Sequence, residues 1–358
     1  MQFENIKKGT IMKNTLLFFY LLIITSYSFS IPEEVPIDIQ TAHWSCLLIK
    51  KYSALERIWN MRNAIVLHKQ ENVFPFTQLL FSWNALRPKY GYFSFYVQVR
   101  DALTKHWGKW HHMLDWGKEK QCSYKSNSDG FSSYHYVRLE IDDQKYADGF
   151  KIKIVPHYFA SCGVFHSCSI SLSNYNAFKS ESLHTFRLPS VYLKNFPAIA
   201  QLALNHKDKN RICSPVSCSM MVSYLTKCSC NPLEYAEYCF DCGLNTYGSW
   251  PFNTVYAFEK CPTHSFSVWR MNSFRDIHAQ LTKKLPVIVS VRGILPGALK
   301  PFPHGHLLVV IGWDNDSQEV ICHDPAAESD DTVLKRYPIY DFLQAWQLSY
   351  RLSYCISQ

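Results

Sequence analysis

Two stretches of this sequence carry residue types that together can attack a carbonyl. The first is Arg211-Ile212-Cys213-Ser214-Pro215-Val216-Ser217. Ser214 can cap a helix, and Pro215 suits a first helical turn, where its missing N–H loses no partner. Cys213 then falls at a helix N-terminus, where the dipole's positive end favours thiolate over thiol. Thiolate is the nucleophilic form, so the position suits covalent catalysis. A buried structural cysteine beside an ordinary cap is the plainer reading.

The second stretch runs Gly305-His306-Leu307-Leu308-Val309-Val310-Ile311-Gly312-Trp313, through Asp314-Asn315-Asp316-Ser317, to Glu319-Val320-Ile321-Cys322-His323-Asp324-Pro325. It reads as a hairpin turning near Asn315. If opposed residue numbers sum to 630, His306 faces Asp324 across two strands, with Cβ atoms about 5 Å apart. A carboxylate there fixes the imidazole tautomer and supports the imidazolium formed when a thiol gives up its proton. Gly305 would let another segment approach the ring closely. The plainer alternative is that His306 opens a strand and Asp324 caps its end.

These residues need elements to hold them. From about 73 to 178 the pattern alternates with a period near two, as in Tyr92–Arg100, Tyr134–Ile141, Phe150–Val155 and Ser167–Leu172. Turn residues such as Asn127-Ser128-Asp129-Gly130 and Ala147-Asp148-Gly149 separate the runs, which argues for an antiparallel β-sandwich. After Cys213 the period becomes helical, with Val216, Met220, Met221, Tyr224 and Leu225 on one face. A second helix is expected at Phe274–Lys284, and strands at Pro286–Val291, His306–Trp313 and Glu319–His323. A helix-first, sheet-second α+β domain fits this order. The halves are expected to separate near 180–195.

The whole chain sets outer bounds. At 358 residues it exceeds one typical core, and 47% hydrophobic against 18% charged residues excludes a disordered chain. Lys7, Lys8 and Lys13 precede an apolar run from Leu16 to Ile24 and then Ser28-Phe29-Ser30. That run is too short to span a bilayer and reads as an export signal over residues 1–30, with Met12 as an alternative start. Periplasm, cell envelope or extracellular space follows, with an uncleaved membrane anchor as the alternative. The formal charge of +8 is scattered, so a solvated basic surface is expected and nucleic-acid binding is not. Thirteen cysteines is an odd number. In an exported protein most would pair, and a catalytic thiol would be left over. The cluster Cys228, Cys230, Cys239, Cys242, Cys261 and His264 also permits a zinc reading, and buried reduced thiols are the third possibility. His304-Gly305-His306 is a weak metal pair. His111-His112 among Trp107, Trp110 and Trp116 suggests either a sugar platform or core packing.

Taken together, the motifs of the second half resemble the C39-like peptidase family. The resemblance rests on five blocks in order over about 160 residues: Pro197-Ala198-Ile199-Ala200-Gln201; Cys213-Ser214-Pro215-Val216-Ser217; Gly248-Ser249-Trp250-Pro251-Phe252-Asn253-Thr254; Gly305-His306-Leu307-Leu308-Val309; and Asp324-Pro325-Ala326. Val216 stands where threonine is usual, and His323 where asparagine often precedes Asp-Pro. The resemblance implies a papain-like cysteine peptidase domain at 190–358, with a Cys-bearing helix packed on an antiparallel sheet. A β-sandwich-like accessory domain at 40–180 would precede it, which makes the fold class α+β. It also implies Cys213 as nucleophile, His306 as base, Asp324 as the residue orienting the base, and Gln201 as the oxyanion-hole amide. The Gly248–Thr254 block would wall the cleft, with Trp250 as a packing residue. The expected substrate is a peptide or protein, and the expected chemistry needs no cofactor. A non-catalytic binding protein on the same fold, or a cell-wall amidase or transpeptidase using the same site, are the rivals.

Overall fold

Among the described residues of the first half, alternating apolar and polar residues build ten strands: β1 (Ser45–Lys51), β2 (Val66–Phe76), β3 (Gln78–Ala85), β4 (Tyr92–Asp101), β5 (His111–Gly117), β6 (Gln121–Ser123), β7 (Ser132–His135), β8 (Arg138–Ile141), β9 (Ala147–His157) and β10 (Phe165–Ser173). They form two antiparallel five-stranded sheets, ordered β1-β10-β3-β8-β7 and β2-β9-β4-β5-β6. Residues of the two sheets share one apolar core, in which Phe81 and Trp83 of β3 meet Phe95 of β4 at ring separations of 5.6 and 4.4 Å. In this computed structural model, residues 44–53, 56, 66–181 and 187–357 are described. The expected export signal at 1–30 lies outside them.

Two local expectations are corrected. The run Tyr134–Ile141 is not one strand but the hairpin of β7 and β8, turning at Tyr136 and Val137 with φ of 47° and 54°. Positive φ at both central residues is the geometry of a tight hairpin turn, which Val disfavours, so no Gly or Asn marked it in the sequence. Ala147-Asp148-Gly149 is not a turn either; it opens β9, where Asp148 pairs with Arg100 at 2.8 Å.

The second half opens on β11 (Val191–Tyr192), followed by α1 (Cys213–Thr226), α2 (Pro232–Cys239) and α3 (Trp250–Lys260). β11 joins a sheet with β12 (Ser265–Arg270), β13 (Val287–Gly293), β14 (Phe302–Asp314), β15 (Glu319–His323), β16 (Leu334–Pro338) and β17 (Leu352–Ser357). Its order is β12-β17-β13-β14-β15-β16, with β11 on β14. Helices α4 (Phe274–Thr282) and α5 (Ile339–Gln347) complete it. This is a mixed architecture of antiparallel sheets and few helices. Helix α1 differs from the one-faced amphipathic helix expected, because every residue from Ser214 to Val222 is buried. Such a helix is enclosed on all sides, and its serines must bond internally.

The described residues fall in one compact unit, and the reason lies on β3 and β10. Leu79, Phe81 and Trp83 face the first-half core, while Gln78, Ser82 and Asn84 face β12 and are also buried. Asn84 accepts from Phe266 N–H at 2.7 Å and donates to Phe266 O at 3.1 Å; Ser82 Oγ accepts from Val268 N–H at 3.1 Å. Arg270 donates to Gln78 Oε1 at 2.6 Å. Edge strand β12 therefore finds its outer backbone partners in side chains of the first half, which a buried edge requires. From α3, Phe252 and Val255 enter the first-half core, Phe252 lying edge-on to Trp83.

Candidate active site

Helix α1 begins at Cys213 itself, after Ile212, whose carbonyl accepts the first helical bond from Val216 N–H at 3.1 Å. Ser214 is thus inside the helix and does not cap it; its hydroxyl instead meets Tyr354 Oη on β17 at 3.0 Å. Ser217 donates to Leu307 O on β14 at 3.1 Å. These two serines fasten the first turn of α1 to two strands of the sheet. Pro215 occupies the first turn as expected.

Opposite, His306 Nε2 lies 2.6 Å from Asp324 Oδ1, both side chains almost fully buried. The other oxygen of Asp324 accepts from Tyr337 Oη at 2.8 Å, and Ala326 N–H donates to Oδ1 at 2.9 Å. The His306 ring is stacked on Phe302, centroids 4.1 Å apart. With Nε2 engaged by Asp324, Nδ1 is the ring nitrogen left to act on the Cys213 thiol. Burial pushes the Cys213 thiol up. The His306 bond and charge, with the backbone N–H groups of Leu307 and Ser214, outweigh it, and the thiol ends below its ordinary value. Burial alone would lower His306, yet the Asp324 charge and hydrogen bond, together with Cys213, raise it to about 10. Asp324 is lowered: burial opposes ionisation, but His306, Ala326 N–H and Tyr337 overcome it. A thiolate–imidazolium pair backed by a carboxylate can deliver a nucleophile and then a proton.

Gln201 is buried on a short 3-10 turn, its backbone N–H donating to Pro325 O at 2.8 Å. It is thus tied to the chain segment that follows Asp324. Its Nε2 donates to Lys209 O at 2.8 Å, leaving a second amide hydrogen, while buried Oε1 has no partner. His323 Nδ1 meets Pro197 O at 2.7 Å, so this histidine holds the segment leading to Gln201.

Other expectations fare differently. Gly305 does not admit a close neighbour, since a Cβ there would meet nothing nearer than 3.9 Å; its φ of +93° is what calls for glycine. The Gly248–Thr254 block opens α3, where buried Asn253 donates to Tyr247 O and Ser249 O at 2.8 Å each and Trp250 packs against the second-half core. His304 is exposed while His306 is buried. Among the described residues, Cys228, Cys230, Cys239, Cys242, Cys261 and His264 form no metal-binding group; Cys261 Sγ alone approaches His264, at 3.4 Å. Trp116 and His111 are core residues. Trp107 and Trp110 are half-buried beneath Lys151 and Lys153, at 3.9 and 4.6 Å from the ring centroids. Sequence reasoning missed Tyr337 and Phe302. Both occupy ordinary strand positions, and only the tertiary pairing brings them to Asp324 and His306.

No curated protein matches the chain. Among solved structures it is similar to a candidate C39-like peptidase from Bacillus anthracis, at 18% identity over 48% of this chain and 98% of that one, with a TM-score of 0.37. A likeness this distant carries nothing about activity. The model of the Peptidase_C39 like family matches residues 193–354, a span that holds Gln201, Cys213, His306 and Asp324.

Proposed function

We propose that this protein is an exported cysteine peptidase that hydrolyses a peptide or related amide bond through a thioester on Cys213. The observation that carries the reading is half-buried Cys213 at the start of a helix beside the buried His306–Asp324 pair, with the thiol lowered and the imidazole raised. The match of residues 193–354 to the Peptidase_C39 like family supports a cysteine peptidase. In this reading residues 1–30 are the export signal, 40–180 a β-sandwich-like accessory domain and 190–358 a papain-like catalytic domain.

The Cys213 thiolate attacks the carbonyl carbon, and the carbonyl π pair moves to oxygen. The second amide hydrogen of Gln201 and the Cys213 N–H receive that oxyanion. The C–N bond breaks as His306 gives its proton to the departing amine. His306 then takes a proton from water, whose oxygen attacks the thioester, and Cys213 leaves as thiolate with the acid product. Asp324 stays ionised and holds His306 through both steps.

The test is to incubate the full chain with a peptidyl vinyl sulfone, map the adduct, and assay a peptide library for new termini. A single adduct on Cys213 and hydrolysed products support the reading. Labelling without turnover of any amide favours a binding protein, and products carrying an added amine favour transpeptidation.

A further inference from the structure

Strand β6 at the edge of the second sheet runs beside the loop that joins α2 to α3. Gln121 Nε2 donates to Tyr238 O at 2.7 Å and Phe240 O at 2.9 Å, and Ser123 N–H donates to the buried Asp241 carboxylate at 2.9 Å. Asp241 pairs with Thr246 across a short bridge that closes the loop. Cys122 and Cys242 lie between these bonds. Cys242 Sγ is 3.1 Å from Gln121 O, the carbonyl bonded to the Cys122 nitrogen. A Cβ on Gly243 would fall 2.8 Å from Cys122 Sγ, so glycine permits the two backbones to come this close. The two thiols are close enough to act on each other's ionisation, and both are free in this structure.

We propose that Cys122 and Cys242 form a disulfide that cross-links the edge of the first-half sheet to the α2–α3 loop of the second half. Three hydrogen bonds flanking the pair, two from the Gln121 amide and one to the Asp241 carboxylate, already hold the two chains together, and a disulfide needs just such close chains. The oxidant is a small organic disulfide such as oxidised glutathione. Cys242 is exposed, whereas burial and the neighbouring sulfur push the Cys122 thiol up to about 11, so Cys242 meets the oxidant first. Its thiolate attacks one glutathione sulfur, forming a mixed disulfide and releasing one thiolate. Cys122 then loses its proton to solvent and attacks the Cys242 sulfur, releasing the second. The protein gives up two electrons and two protons, and two glutathione thiols carry them away.

The bond reaches toward the active site. Beyond Cys242, Asn245 O accepts from Arg211, and Tyr247 donates to Asp208 Oδ2 at 3.0 Å. Residues 208–211 include the Lys209 carbonyl that holds Gln201. The cross-link therefore fixes to the first half the loop on which the Gln201 support rests. None of this depends on catalytic activity.

The full chain, folded and incubated with oxidised glutathione, would be quenched with iodoacetamide and digested without reduction. Most molecules should yield a linked peptide pair joining Cys122 to Cys242, lost on later reduction. Oxidised protein should also melt several degrees above reduced protein, and Cys122→Ala should abolish that difference. Recovery of Cys122 and Cys242 mainly on separate alkylated peptides, or linked to other cysteines, would overturn the proposal. So would a melting difference that survives in Cys122→Ala.

Discussion

His306 and Asp324 are diagonal neighbours across β14 and β15, two residues out of direct opposition, and still meet at 2.6 Å. The pairing runs Val309↔His323 and Val310↔Cys322, shifts by one residue before Gly312↔Ile321, and so places Asp324 beyond the last pair, level with Leu308. An offset of two keeps both side chains on the same sheet face, where long side chains reach diagonally. The contact expected from a register summing to 630 therefore forms in a different register. Tyr337 on the next strand, β16, completes it from the far side.

If this arrangement holds the ion pair, Cys213 alkylation by iodoacetamide should stay fast well below the ordinary thiol range. The thiol is lowered and His306 raised to about 10, so the thiolate–imidazolium form spans the interval between those two values. Rate should fall below the lower limb as the thiolate is protonated. His306→Ala removes the main lowering influence and should shift the alkylation profile upward by more than one pH unit. An unchanged profile would remove the ion pair from consideration.

Asp324 and Tyr337 should separate orientation from presence of the base. Asp324→Asn keeps the shape but gives His306 Nε2 an amide in place of a carboxylate, and kcat should fall about a thousandfold or more. Tyr337→Phe removes one hydrogen bond to the carboxylate, so Asp324 should protonate at higher pH. The acid limb of kcat/KM should then move upward while the maximum falls about tenfold or less. A Tyr337→Phe enzyme with an unshifted pH profile would show that this hydroxyl does not act through Asp324.

Gln201 offers a contrast. Its amide matters only once a carbonyl has been attacked, so Gln201→Ala should lower kcat by about 100- to 1,000-fold. Alkylation of Cys213 should stay within about twofold, since no oxyanion forms in that reaction. Equal loss in both measurements would mean that the substitution disturbs α1 instead.

Much of this site was legible because its residues sit in contiguous blocks. Cys213 before Pro215, and His306 before an apolar strand, are readable as local patterns. The partners that tune them are not: Tyr337 and Phe302 reach the site only through strand pairing. The serines of β10 are less legible. Ser167, Ser169 and Ser171 alternate with apolar residues, a pattern that suits a solvent face, yet all are buried, and Ser171 Oγ accepts from Arg270 N–H of the second half at 3.4 Å. A small polar side chain suits water and a buried strand edge equally well, and sequence periodicity cannot tell them apart. The same ambiguity hid the interface between halves.

That interface has a measurable keystone in Asn84. Replacing it by Ala leaves both backbone groups of Phe266 buried without a partner, together with Ser167 Oγ. Urea unfolding should show a loss of about 2–4 kcal/mol, above that of a typical surface change. A fragment beginning at residue 187 uncovers the whole β12 edge and should aggregate or unfold when expressed alone. A monomeric, cooperatively folding fragment would show that the sheet needs no cover.

Glu259 gives the interface a pH dependence. It lies on α3, 3.3 Å from Arg87 of the first half, in largely buried surroundings. Desolvation outweighs the guanidinium and raises the carboxyl to about 7. In the unfolded chain it returns to about 4.3. Between those values the folded state holds the proton more often than the unfolded state, so stability falls as pH rises through this window. The full loss is on the order of 3 kcal/mol and is complete above the folded value. Desolvated histidines act oppositely: half-buried His68 and buried His111 and His323 are lowered by desolvation, and their contribution rises as pH climbs through the ordinary histidine range. Total stability is therefore a poor readout, and the difference between two proteins is a good one. Glu259→Gln keeps the shape and a hydrogen-bonding oxygen for Arg87 but has no proton to lose. Relative to wild type, its urea midpoint should rise steadily from pH 5 to pH 7 and level off beyond. Parallel curves across that range would show that Glu259 is ionised in the folded protein throughout, with Arg87 dominating its surroundings.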